Sequence, residues 1–217
     1  MWTLLKRRKG DWASLESKEV RRCVDLLEGN LAENPNDATS LRLWIRAVRH
    51  SSTPPSLDKL IERVSYWKAN TNTLDAAFYL YVLHTLVALE GSTLARGDAD
   101  RALEDCRNLS RFRRNRYRSF EWLGKGTGLQ QLVHQSELGE WESGFWQNTA
   151  RLVRVKGRVA SIDAPQKGFI ETTSAQEAFF VPIVAGLHQG RDENRSVEFF
   201  LGFSYDGLRA WQVTAQG

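Results

Sequence analysis

From Val153 onward the chain alternates short apolar runs with turn residues: VRVKGRVASIDAPQKGFIETTSAQEAFFVPIVAG, then SVEFFLGFSYDGLRAWQV after a polar gap. Period-two apolar runs bounded by Gly, Pro, Asp and Ser describe strands, not helices. Five such runs fit, at about 151–162, 166–172, 177–183, 196–204 and 208–214. Five short, consecutive antiparallel strands in that space are what a small closed barrel requires. Alternation also sends neighbouring side chains to opposite faces. One of Phe179 and Phe180, and one of Phe199 and Phe200, must therefore fill the barrel while the other faces out. The outward members would form an apolar patch, and such patches on globular domains mark covered interfaces. The expected cover is Trp122, Trp141 and Trp146, or the helix that precedes them.

The five-strand pattern is that of the OB type, and its residues resemble a cold-shock domain. Gly157-Arg158-Val159 matches the opening G-x-V of that family, and Lys167-Gly168-Phe169-Ile170 a shortened form of its first RNA-binding motif. Phe179-Phe180-Val181-Pro182 matches the second motif, while Val197-Glu198-Phe199 and Gly207-Leu208-Arg209-Ala210 match the last two strands. The resemblance covers under a third of the chain. Cold-shock domains stack bases on surface aromatics, each worth roughly 1–3 kcal/mol. Here Ser161 and Ile162 stand where that family has Trp and Phe, one Gly-Phe pair is missing beside Phe169, and Pro182 and Ile183 replace His and Phe. Residues 151–217 hold eight Lys or Arg against seven Asp or Glu, little for a groove that tracks a phosphate backbone. The expectation is an OB-like barrel with diminished nucleic-acid binding.

The net charge of +4 sits mostly between the helices and the barrel. Residues 1–106 balance at fifteen basic and fifteen acidic side chains, whereas 107–150 hold seven against four. Within that stretch RNLSRFRRNRYR (107–118) has six arginines, no acid, and interleaved Phe112 and Tyr117. Guanidinium forks grip phosphate bidentately and rings stack on bases, so the composition suits RNA or an acidic protein surface. The plainer alternative is a solvated helix end whose cations complement the helix dipole.

The first half is helical. Val20, Cys23, Val24, Leu27 and Leu31 recur with a 3.6 period before Asn34-Pro35 stops the helix. Asp37 caps a second helix with Ala38, Leu41, Trp44, Ile45 and Val48 inward, and Ser56 a third with Leu57, Leu60, Ile61, Val64 and Trp67. Leu74 opens a strongly apolar fourth helix, Gly91 and Gly97 bracket its end, and a fifth runs from Ala99 to Leu109. Aligning Asp37-Ala38 with Asp75-Ala76 gives a helix-pair period of 38 residues, and NPNDATSLRLWIRAV resembles the start of a tetratricopeptide repeat. About three such units are needed to bury a continuous face, and two and a half are visible. The expectation is the end of a longer solenoid, with Trp2, Leu4 and Leu5 belonging to the packing surface of a preceding repeat.

The connector reads EWLGKGTGLQQLVHQSELGEW. Gly124-Lys125 lacks the upstream Gly of a Walker loop, and Gly124, Gly126 and Gly128 give G-x-G-x-G, not a dinucleotide fingerprint. With no strand expected before them, the residues read as a turn and a short helix, Leu129 to His134, docking Trp122, Leu132 and Trp141. His50, His84, His134 and His188 have no Cys or paired carboxylate at metal spacing. His84 reads as a satisfied core histidine, and His134 as a polar partner of Glu137. No nucleophile elbow is present, so no enzymatic activity, cofactor or metal is expected. Cys23 and Cys106 read as buried, reduced thiols. With no long apolar run and no signal-like h-region in MWTLLKRRKGDW, the reading is cytoplasmic, without a membrane partner.

As a whole, helical repeats followed by SFEWLGKGTGL…LVH and a barrel ending VEFFLGFSYDGLRAWQV resemble the C-terminal tail of the vertebrate antiviral proteins with a sterile alpha motif and their bacterial defence relatives. Phe120, Trp122, Leu123, Gly124, Lys125, Gly126, Leu129, Val133, His134 and Val197 to Tyr205 carry that match. The resemblance implies a tail that follows an ATPase region, and no ATPase or nuclease motif occurs here. The fold class is read as α+β multidomain: tetratricopeptide-like α-helical repeats (1–112), an Arg/Trp-rich connector (113–148), and a five-stranded OB/cold-shock-like β-barrel (149–217). The function is read as a non-catalytic interaction and regulatory tail that binds a protein partner or upstream domains of a longer chain. The alternative is an RNA or single-stranded DNA-binding module that uses Arg111, Arg113, Arg114, Arg116, Arg118, Lys167, Phe169 and Phe180.

Overall fold

The computed structural model describes residues 15–142 and 144–216, so Trp2, Leu4 and Leu5 lie outside the described residues. Five helices occupy the first half: α1 (Ser17–Glu33), α2 (Ala38–Arg49), α3 (Leu57–Thr71), α4 (Leu74–Leu89) and α5 (Thr93–Ser110). Asp37 accepts hydrogen bonds from the amides of Thr39 and Ser40 at the start of α2, and Ser56 from Lys59 at the start of α3. Helix α3 ends on Asn72 in the left-handed region, φ 46°, and Gly91 at φ 106° turns the chain after α4. Gly97 does not bracket that turn; it lies inside α5, which begins six residues earlier than the apolar pattern indicates because Ser92 caps it. Asp37 and Asp75 are not equivalent either. Asp37 caps α2, whereas Asp75 sits within α4, capped by Thr73, and pairs with Arg42 at 2.6 Å.

Helix α4 is apolar all round, the pattern of a helix with no solvent face. One side meets α2, α3 and α5. The other meets the sheet: Phe78 packs edge-on against Tyr205 with ring centroids 5.1 Å apart, and Tyr81 against Phe203 at 6.2 Å. One apolar core therefore runs from α1 through α4 into the barrel interior, where Val159, Ile170, Phe180, Val197, Phe199 and Leu201 are buried.

The barrel consists of β5 (Arg154–Ala164), β6 (Lys167–Thr172), β7 (Glu177–Phe180), β8 (Ser196–Ser204) and β9 (Gly207–Ala215). Going round it, β5 pairs with β6, β6 with β7, β7 with β9, β9 with β8, and β8 with β5. The β7–β9 pairing is parallel, which corrects the expectation of antiparallel strands throughout. An odd number of strands cannot alternate direction around a closed ring, so one neighbouring pair has to run the same way. Pro182 ends β7 earlier than the apolar run suggests by opening a short helix, α6 (Pro182–Ala185), since proline has no amide to continue the ladder.

The connector also differs from expectation. In place of a short helix, a 3-10 turn (Gly128–Gln131) leads into strand β2 (Leu132–His134). It is preceded by strand β1 (Glu121–Leu123), whose Trp122 lies opposite Gly202 on β8, beyond the point where β5 stops pairing. A two-residue hairpin, β3 (Trp141–Glu142) with β4 (Phe145–Trp146), follows. These strands and Leu138 between them hold Trp122, Phe145 and Trp146 over Phe200, with the Phe145 ring stacked on Phe200 at 5.5 Å and 11°. Close packing accounts for Gly124: a Cβ there would lie 2.5 Å from Val133 Cγ2 and 2.9 Å from the Arg151 carbonyl oxygen.

Candidate nucleic-acid interface

Register decides which side chains meet on the outer face of β6, β7 and β9. Phe169 lies opposite Phe179, and Phe179 opposite Arg209. Odd positions of β7 point out and even positions in, so Ala178 and Phe180 are buried while Phe179 stays half-exposed. Phe180, expected on the binding surface, is 1% exposed and fills the barrel beneath Gly168, where a Cβ would lie 2.5 Å from its ring. Phe179 takes its place. The phase was legible: the charged Glu177 must face water, and Phe179 shares its side.

The two outward phenyl rings meet edge to face at 6.0 Å. Lys167 Nζ lies 5.6 Å from the Phe169 ring at one end of this row. At the other, the Arg209 guanidinium lies 4.3 Å from the Phe179 ring and 5.2 Å from that of Tyr117. Arg209 is 8% exposed, and burial holds its pKa below the ordinary value against the opposing pull of Asp206. It remains charged, because a guanidinium does not deprotonate in proteins. Clamped between two rings, it fixes both. Tyr117 keeps 55% of its surface open. Beside the row, Val181, Val184, Trp211 and Val213 help to line an apolar cavity of about 290 Å³.

The arginine strip runs from the last turn of α5 into the turn beyond it and divides in two. Arg116 pairs with Asp206 at the tip of the β8–β9 hairpin, its Nε 3.1 Å from Oδ1, and Arg107 donates to the Asp206 carbonyl at 3.0 Å. Arg118 sits 5.8 Å from the Trp146 ring. These three hold the strip on the barrel. Arg111 lies over Phe112, itself 91% exposed, while Arg113 and Arg114 are exposed and make no ion pair among the described residues. Of the predicted set, Lys167 and Phe169 thus share the barrel face, Arg111, Arg113 and Arg114 are exposed on the turn that follows α5, and Arg116 and Arg118 serve its architecture. The pairing of Arg209 with Tyr117 has no sequence signal, since only the folded chain brings residues from β9 and the strip together.

His134 and Glu137 do meet: Glu137 Oε1 accepts the His134 amide at 3.1 Å. No protein-family model, curated protein or solved structure matches this chain. Among the described residues no helix is long and apolar enough to cross a membrane.

Proposed function

We propose that this protein binds single-stranded nucleic acid on the outer face of β6, β7 and β9, with the arginine strip gripping the backbone. The observation that carries this reading is the continuous row Lys167–Phe169–Phe179–Arg209–Tyr117. It sets cations against rings at both ends of a phenyl pair, the combination that sequence-tolerant strand binding uses. The strand order, with β7 parallel to β9, supports a barrel of the OB type, whose second and third strands carry the ligand face. The helices, read as tetratricopeptide-like, serve as the arm that joins this barrel to a protein partner or to upstream domains. The resemblance to the antiviral sterile-alpha-motif family suggests a defence ATPase as that larger context.

A second reading is a protein-docking tail. It is favoured by Val184, 83% exposed and lining the apolar cavity, and by its exposed neighbour Ile183. Fluorescence anisotropy with a labelled single-stranded RNA separates the two. Phe179→Ala should weaken binding by about 1–3 kcal/mol, the worth of one stacked base. Arg111→Glu with Arg114→Glu should flatten the log–log salt slope by about 0.7 for each phosphate no longer neutralised. Binding unmoved by all three changes would leave the docking reading.

A further inference from the structure

A second cavity, of about 430 Å³, lies between α2, the start of α4 and the connector, with Tyr205 of the β8–β9 turn in its wall. Arg42 and Arg46, one helical turn apart on α2, and Arg113 from the strip line it. Its one carboxylate, Asp75, is taken: Arg42 Nε and Nη2 hold its two oxygens at 2.6 and 3.1 Å. Arg46 has no carboxylate partner among the described residues. Its Nη2 faces the two ring nitrogens of His134 at 2.7 and 2.5 Å, and its Nε is buried with nothing to bond.

His134 supplies no counter-charge. Its Nδ1 accepts the Ser136 amide at 3.1 Å, and burial, together with Arg46, Arg49 and Arg42, pushes its pKa down to about 3. Arg46 acts on the buried Glu121 carboxylate only at a distance, and no carboxylate bonds its fork as buried charges otherwise require. The side-chain oxygen of Gln135 is likewise buried without a partner, and turning that amide over presents two donors to the same space. Phe120 and Tyr205, with ring centroids 4.7 Å apart, form an aromatic wall beside the cations.

We propose that this cavity binds a phosphate monoester, held by Arg46 and Arg113, with Gln135 donating to it and the Phe120–Tyr205 wall against the attached group. Two guanidiniums that make no ion pair among the described residues match the charge of about −1.5 to −2 that a phosphate monoester carries near neutral pH. The planar forks match its oxygens bidentately, which a single carboxylate would use only in part. The phosphate can belong to a free nucleotide or to the 5′ end of a strand. The site does not depend on the barrel face binding nucleic acid.

The test is calorimetric titration of the whole chain with adenosine monophosphate, adenosine, and short oligonucleotides bearing a 5′-phosphate or a 5′-hydroxyl. The monophosphate should bind saturably and adenosine should not. Arg46→Met, which keeps the aliphatic stem, should weaken the monophosphate at least about tenfold, and Arg113→Gln, on an exposed loop, should do so without touching the helices. Phe179→Ala should leave it unchanged, which separates this site from the barrel face. A 5′-phosphate preference among the oligonucleotides, abolished in Arg46→Met, assigns the strand end as the source; equal binding of the two assigns the free nucleotide. Adenosine binding as well as its monophosphate, unaltered affinity in both arginine variants, or no saturation at millimolar monophosphate would each overturn the proposal.

Discussion

At the scale of single residues, the fate of each phenylalanine turns on strand phase. The expectation that Phe179 and Phe180 part company holds, as does that for Phe199, buried in the barrel, and Phe200, facing the connector. Which member goes inward follows from the charged neighbours Glu177 and Glu198, which must face water. The surroundings of His134 were beyond reach, because Arg46 lies 88 positions away. They set a pH dependence. The folded-state pKa of His134 lies well below its ordinary 6.5, so the native protein binds fewer protons than the unfolded chain between about 3 and 6.5. Stability therefore falls as pH drops below 6.5, by about 2 kcal/mol at pH 5. Glu121 works the opposite way: burial raises it from 4.5 to about 6 against the pull of Arg49 and Arg46, so protonating it on the way down restores part of the loss. Urea denaturation at pH 7 and pH 5 separates the two. Relative to His134→Gln, the parent protein should lose about 2 kcal/mol between those values. Parallel losses in both proteins would remove His134 as the cause.

At the scale of elements, the helices and the five barrel strands were legible because each is long enough to show its period. The connector strands were not. Two- and three-residue strands show no period, and β1 and β2 exist because β8 runs on past the end of β5 and offers an edge. Their burden is the apolar patch around Phe200. The aromatic group of Trp122, Phe145, Trp146 and the partly buried Trp211 covers it, while Phe179, two strands away on β7, stays half-exposed. Phe145 is the centre of that cover, in contact with Trp122, Trp141, Phe200 and Trp211. Phe145→Ala should cost about 3–5 kcal/mol in chemical denaturation. Expressed without the helices and connector, residues 149–217 should bind a hydrophobic dye and self-associate through Phe200. A monomeric, dye-silent fragment would show that the patch needs no cover.

At the scale of the whole molecule, the boundary drawn from the sequence between helices and barrel is crossed by a buried ionic cluster as well as by apolar packing. Arg49, 4% exposed at the end of α2, donates to the Leu132 carbonyl at 2.9 Å, pairs with Glu137, and lies 3.7 Å from Glu121. Glu121 on β1 is fully buried and also accepts from the Tyr79 hydroxyl of α4 at 3.1 Å. Three segments distant in sequence thus meet at Arg49 and Glu121, two charges buried from water. Removing one partner from such a cluster strands the others, which costs about 3–5 kcal/mol, whereas removing charge on both sides costs much less. Arg49→Met should therefore lower stability by that amount, and adding Glu121→Leu should recover part of it. Because the cluster and the α4 core join the two halves, far-UV ellipticity, which reports the helices, and near-UV ellipticity, which reports the aromatic cover of the barrel, should change together in denaturant. They should stay coincident in Arg49→Met at a lower midpoint. Helices that melt ahead of the aromatic signal in the parent protein would mean that the packing across this boundary contributes little, and that the two halves fold as the separate domains their sequences suggest.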